Sequence, residues 1–268
     1  MASPTYERLK LRNGLRVVLA PDRSAPVVAV AVYYDVGIRS EPQGRTGFAH
    51  LFEHLMFQGS ASLGKMELVN QISASGGVLN GSTRLDYTNY YEMLPSNALD
   101  RALFLEADRM GWPAVTEENL ANQIAVVKEE IRVNVLNEPY GGFPWLTLAP
   151  VLYETWANAH DGYGSFEDLS QASLDDARDF FDAYYAPGNA VLAVTGDFEV
   201  DQAAELVQRV AQLQHDIPQV AALDLSLVLA GADELSVLTA TGRVQPVSDP
   251  RSDWFVRRLP DLADTLPG

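Results

Sequence analysis

Apolar residues recur along this chain with two periods, and the switches between the periods divide it into elements. Leu9 to Leu11 and Leu15 to Leu19 flank Asn13-Gly14, which is a hairpin signal. Val27 to Asp35 is rich in Val and Tyr and reads as a third, buried strand. A loop from Gly37 to Gly47 leads into a helical pattern, in which Phe48, Leu51, Phe52, Leu55 and Met56 fall at i, i+3, i+4, i+7 and i+8. That spacing makes one apolar stripe on an amphipathic helix. A second helix is expected near Lys65 to Ser75, stopped by Gly76-Gly77, and two short strands near Val78 to Thr83 and Tyr87 to Leu94.

Farther on, Ser96 is placed to cap a helix running to Met110, and Thr116 to cap another through Val133. Glu117 and Glu118 favour the second helix's N-terminal dipole. Residues 137–164 are rich in Gly, Pro and aromatics and read as a long loop, with a short helix around Leu146 to Ala157. Ser173 and Asp176 have capping-box spacing before a helix reaching Tyr185. Asn189 to Thr195 is a buried strand, and a helix from Asp201 to Leu213 follows. Strands and helices mix without regular βαβ alternation. The expected class is α+β, a largely antiparallel mixed sheet with helices on one face. Residues 1–215 are expected to form one domain. Residues 216–268, with many Pro, Asp and Arg and no strand or helix frame after Ala230, are expected to form a linker and tail.

Chemistry concentrates on the first helix. At about 100° per residue, His50 and His54 point roughly 150° from the centre of the apolar stripe. Glu53 lies at the edge of the same polar face. Two imidazoles one turn apart reach one zinc ion. Glu53 is better placed as general base for an activated water, whose pKa zinc lowers to about 7. The chain has no cysteine, so a third ligand must be His, Asp or Glu. On the helix around Leu120, Ile124, Val127 and Ile131, Glu129 points away from the buried stripe and Glu130 lies at its flank. Glu130 is therefore chosen. His160 and His215 have no partner at ligand spacing and read as surface or loop histidines.

The segment HLFEH, followed after 75 intervening residues by Glu130, resembles the pitrilysin family. These are the inverted zincins that include insulysin and mitochondrial processing peptidase. The match is most like the family's bacterial branch with short subunits. DVGIRSEPQGRTGFAHLFEHLMFQGS resembles the family's metal-site segment, LNGSTRLDYTNYYEMLP its cleft-lining strand pair, and YYAPGNAVLAVTGDF a late strand and turn of its first domain. The resemblance covers roughly residues 5–215. It implies a zinc endopeptidase acting on peptides or unfolded segments, with one Zn2+ on His50, His54 and Glu130 and with Glu53 as base. It also implies that Asn80 hydrogen-bonds substrate backbone and that Phe52 borders the pocket for the residue after the scissile bond. Many members carry a second Glu one heptad before the ligand, where this chain has Gln123, expected to support the ligands by a hydrogen bond without adding charge. The family pairs two homologous domains, the second supplying an Arg/Tyr pair. The alternative expectation is thus a partner-dependent or inactive subunit.

The formal net charge of −17 argues against nucleic acid and anionic membrane as partners. The N-terminus has no apolar core after a basic start, so the expected location is the cytoplasm.

Overall fold

The computed structural model describes residues 6–143, 146–216, 220–230 and 235–244, with side chains described to residue 208. Six strands form one sheet: β1 (Glu7–Lys10), β2 (Arg16–Pro21), β3 (Val27–Tyr34), β4 (Val78–Thr83), β5 (Thr88–Pro95) and β6 (Ala190–Gly196). Their order is β1-β2-β6-β3-β5-β4. Only the β2–β6 pairing is parallel; the others are antiparallel. The expected hairpin is β1–β2, with Lys10 opposite Arg16. One face of the sheet is the core side, carrying Val17, Leu19, Val28, Val30, Val32, Tyr90, Leu192 and Val194, all buried. The other face carries Val27, Tyr33, Tyr91 and Met93, all partly exposed.

Among the described residues eight α-helices accompany the sheet: α1 (Phe48–Leu55), α2 (Glu67–Ala74), α3 (Leu99–Gly111), α4 (Glu117–Ile131), α5 (Ala149–Leu152), α6 (Phe166–Gln171), α7 (Leu174–Tyr184) and α8 (Val200–Asp216). Thr116 caps α4 by accepting from the Asn119 N–H at 3.2 Å. Ser173 and Asp176 form the expected capping box of α7. Ser96 does not cap α3. It opens a short 3-10 turn instead, and its hydroxyl donates to Asp197 Oδ2 at 3.0 Å. α4 continues into a π-helical turn, Arg132–Leu136. Where a short helix was expected around Leu146 to Ala157, the described residues hold α5 and a 3-10 turn, Trp156–Asn158. α6, six residues with Ser165 as its cap, was not anticipated. Among the described residues no helix is long and apolar enough to cross a membrane.

Beyond α8, strands β7 (Val220–Ala230) and β8 (Leu235–Val244) pair antiparallel as a separate two-stranded sheet. β8 lies where the sequence pattern gave no strand frame. Residues 245–268 lie outside the described residues.

Candidate metal centre

α1 is eight residues long. Isolated helices below about 12 residues are marginal in water, so this one is held by its surroundings. Phe48, Leu51, Phe52, Leu55 and Met56 are all buried to 1% exposure or less. At roughly 1.5–3 kcal/mol per fully buried large apolar side chain, that stripe anchors the helix to the sheet. The polar face is thereby turned the other way, and the angular expectation for His50, Glu53 and His54 holds.

The three expected ligands converge. His50 Nε2 and His54 Nε2 are 3.3 Å apart. Glu130 Oε2 lies 3.6 Å from His50 Nε2 and 3.3 Å from His54 Nε2. Four-coordinate zinc with bonds of about 2.0–2.1 Å has ligand atoms about 3.3–3.4 Å apart. The triangle of two nitrogens and one oxygen therefore fits a single ion. Its chemistry fits too, since two imidazole nitrogens and a carboxylate oxygen turn lone pairs toward one point. Burial, then the neighbouring His54, hold His50 below the ordinary imidazole range, in the neutral form that ligates. The His54 contact holds Glu130 below the usual carboxylate range, although burial opposes it. Among the described residues, these three form the group of His and carboxylates close enough to share an ion.

The choice between neighbouring glutamates is visible in the geometry. Glu129 is exposed and pairs with Arg132 at 2.9 Å, whereas Glu130 turns inward to the imidazoles. Glu53 accepts from the Thr83 hydroxyl at 2.6 Å through Oε2. Gly81, on the same strand β4, lies against it. A Cβ there would sit 3.1 Å from Glu53 Cγ and 3.4 Å from its Oε1. Asn80 is exposed on β4, an edge strand of the sheet, and its Oδ1 accepts from the Gly81 N–H at 2.9 Å. Gln123 is buried, and its amide donates to Asn122 Oδ1 at 2.8 Å. That hydrogen bond runs along the helix and not to the three ligands.

Phe52 is fully buried, with ring centroids 5.1 Å from Phe180 and 5.2 Å from Tyr185. Its place on the apolar stripe directs it into the core, where it packs the helix.

The N-terminal turn of α1 holds residues that spacing did not reveal. Glu41 is 2% exposed. Its Oε2 accepts from the Gly47 N–H and its Oε1 from the Ala49 N–H, both at 2.9 Å. His160, expected as a surface or loop histidine, lies on a loop but is buried, with Nε2 3.3 Å from Glu41 Oε2. Burial raises the Glu41 carboxyl above its ordinary value against these contacts. Burial opposes protonation of His160, but Glu41 and the Trp156 and Ile38 carbonyls push it up to about 9. Tyr163 stands edge-on to His50, ring centroids 5.8 Å apart. His215 lies beyond the described side chains.

Residues 16–140 match the family model described as insulinase (peptidase family M16), and residues 171–241 match the peptidase M16 inactive domain. The zinc protease PqqE of Helicobacter pylori is 34% identical over 77% of this chain and 46% of its own length. The uncharacterized zinc protease YmxG of Bacillus subtilis is 29% identical over 71% of this chain and 46% of its own. The crystal structure of a protease from Helicobacter pylori superposes with a TM-score of 0.73 at 33% identity, covering 77% of this chain and 50% of that one. Pitrilysin shares the fold, with a TM-score of 0.68 at 21% identity over 79% of this chain and 23% of its own. The chain spans about half the length of the curated relatives it matches.

Proposed function

The chain belongs to the insulinase (M16) peptidase family, the pitrilysin group, and from that premise we propose that it is the zinc-bearing part of a metalloendopeptidase. The observation that carries this reading is the triangle of His50 Nε2, His54 Nε2 and Glu130 Oε2, with edges of 3.3 to 3.6 Å.

His50, His54 and Glu130 would hold one Zn2+ by two neutral imidazoles and one carboxylate. Bound there, zinc supplies Lewis acidity, polarising a peptide carbonyl and acidifying a water. Glu53 takes the proton of the attacking water on its carboxylate and later delivers it to the departing amine. The Thr83 hydroxyl occupies Oε2 at 2.6 Å, which fixes the carboxylate plane and leaves Oε1 for the proton. Gly81 leaves Glu53 room on its strand side. The free edge of β4 offers backbone groups to which an extended peptide adds as a further strand. Asn80 is exposed on that edge, in reach of such a peptide's backbone.

Substrates in this reading are peptides or unfolded segments. A second homologous domain or subunit completes the site, supplying an Arg/Tyr pair to the substrate. One observation favours a partner-dependent or inactive subunit as the second reading: residues 171–241 match a model described as an inactive domain.

The test is Glu53→Gln. The variant should keep its zinc while peptide cleavage, measured alone and with a homologous partner added, falls by about 10²–10⁴-fold. Cleavage at the wild-type rate would sink the assignment of the base. Cleavage by wild type only with the partner present would decide for the partner-dependent reading.

A further inference from the structure

The first ligand, His50, sits in the first turn of a two-turn helix. That is the part of any helix that frays, because its leading N–H groups have no partner within the helix. The residue at the N-cap position is Gly47, in the left-handed region at φ 86°, and it has no side chain with which to cap. The cap comes instead from Glu41, six residues upstream. Its two oxygens take the N–H groups of Gly47 and of Ala49, the residue beside His50. A carboxylate at a helix N-terminus is favoured by the helix dipole, but a carboxylate at 2% exposure also needs a counter-charge.

His160 is that counter-charge. Its Nδ1 lies 2.7 Å from the Trp156 carbonyl oxygen and its Nε2 lies 2.8 Å from the Ile38 carbonyl oxygen. Carbonyl oxygens only accept. A neutral imidazole has one N–H, so both contacts are satisfied only when the ring carries two protons. The Trp156 indole stacks on the ring at 4.5 Å and 12°, and its Nε1 donates to the Glu41 carbonyl at 2.8 Å. The same segment continues into Tyr163 and Gly164. The Tyr163 ring meets His50, and its carbonyl oxygen backs onto Gly47.

We propose that the buried Glu41–His160 ion pair is the positioning element of the metal centre: it fixes the first turn of α1, and with it the His50 imidazole, at the point where one ion meets all three ligands. Neither residue touches the ligand atoms, and both act through the backbone of Gly47 and Ala49 and through Tyr163. The proposal rests on the zinc reading above.

The experiment uses the full chain and zinc alone, so that activity is not needed. Wild type is titrated first against a chromophoric chelator. If wild type takes up no zinc, the zinc reading itself fails, and that outcome is separate from the next. Glu41→Gln keeps the side chain's shape but turns one acceptor into a donor facing an N–H. His160→Gln removes the cation. Each should weaken zinc binding by about 10–100-fold, the range seen when partners of metal ligands are removed. Each should also change the visible absorption of the Co2+-loaded protein. Asp108→Asn, which removes a buried carboxylate bonded to Ser60 and Ser62, is the comparison for a loss of stability. It should lower the unfolding midpoint and leave zinc affinity within twofold. Wild-type zinc affinity and an unchanged cobalt spectrum in a folded Glu41→Gln or His160→Gln protein would overturn the proposal. If Glu41→Gln does not fold, His160→Gln alone decides.

Discussion

Gly47 and Gly164 stand back to back where the residues after the long loop reach the metal helix, and this contact can be weighed by one methyl group. Gly47 has φ +86, and a Cβ on it would lie 2.7 Å from the Tyr163 carbonyl oxygen and 2.9 Å from Gly164 Cα. Both neighbours are backbone and cannot swing aside. Gly44 makes the control: its φ is +77, and nothing lies within 4 Å of its Cβ position. An alanine at either site meets the left-handed penalty of roughly 1–2 kcal/mol. Only Gly47→Ala adds the cost of forcing atoms into packed space, about 1–3 kcal/mol. Gly47→Ala should therefore lose about 1–3 kcal/mol more stability than Gly44→Ala in urea unfolding. It should also weaken zinc binding, because His50 lies three residues on, while Gly44→Ala should not. Equal losses from the two substitutions would show that the Tyr163–Gly164 segment does not rest on α1.

Three further outcomes are expected. Glu130→Ala should weaken zinc binding by at least about 100-fold, more than loss of a ligand's neighbour costs, while Glu129→Ala, which breaks only an exposed pair with Arg132, should leave it unchanged; equal effects in a chelator competition would refute the helix-face assignment. Gly81→Ala introduces no left-handed strain and presses a methyl to 3.1 Å from Glu53 Cγ, so zinc affinity and fold should persist while cleavage drops about 10-fold through displacement of the base; an unchanged rate would mean that Glu53 has slack. The folded pKa of His160 lies above its free value, so its contribution to stability is complete below about pH 6.5 and is lost as pH rises through about 9. The charged group facing it is Glu41, whose own carboxyl burial raises above its ordinary value. At about 1.4 kcal/mol per pH unit the His160 span is worth at most about 3.5 kcal/mol. Unfolding midpoints from pH 6 to 10 should fall for wild type and flatten in His160→Gln, and parallel curves would refute the assignment.

What the sequence disclosed depended on how far apart the interacting residues lie. The stripe on α1, the capping box of Ser173 and Asp176, and the inward turn of Glu130 against the outward turn of Glu129 all follow from spacing within one element. Periodicity reports these directly. α6 was missed because six residues are too few to show a helical period, although Ser165 ahead of Glu167 and Asp168 was a usable cap signal. β8 was missed because Leu235–Val244 alternates weakly and is interrupted by small and polar residues. His160 looked idle because its partner, Glu41, lies on a distant loop, and no local pattern links two such positions. The link between Thr83 and Glu53 was hidden for the same reason, since it depends on the packing of β4 against α1. Phe52 was given a second role by family resemblance. Its place on the buried stripe had already indicated the first.

This division explains why the metal centre is built as it is. α1 has to present two imidazoles and a base from only two turns, and every apolar residue of its stripe is buried. Burial of the stripe fixes how deep the helix sits and which side faces out, because the hydrophobic effect is non-directional. It does not fix the rotation of the first turn to the few tenths of an ångström that a shared ion requires. Directional contacts do that, and they come from outside the helix: Glu41 on the Gly47 and Ala49 N–H groups, Asp168 on the Thr46 N–H at 2.9 Å, and the Thr46 hydroxyl on the Ser165 N–H at 2.9 Å. All of them join residues 41–49 to each other or to residues 156–168. Glu130, on α4, arrives by a separate route, with α6 packed beside that helix. The segment between α5 and α7 thus touches both halves of the ligand set, the first turn of α1 directly and α4 through α6. A substitution that loosens it should spread the three donor atoms apart even where it leaves each ligand residue intact.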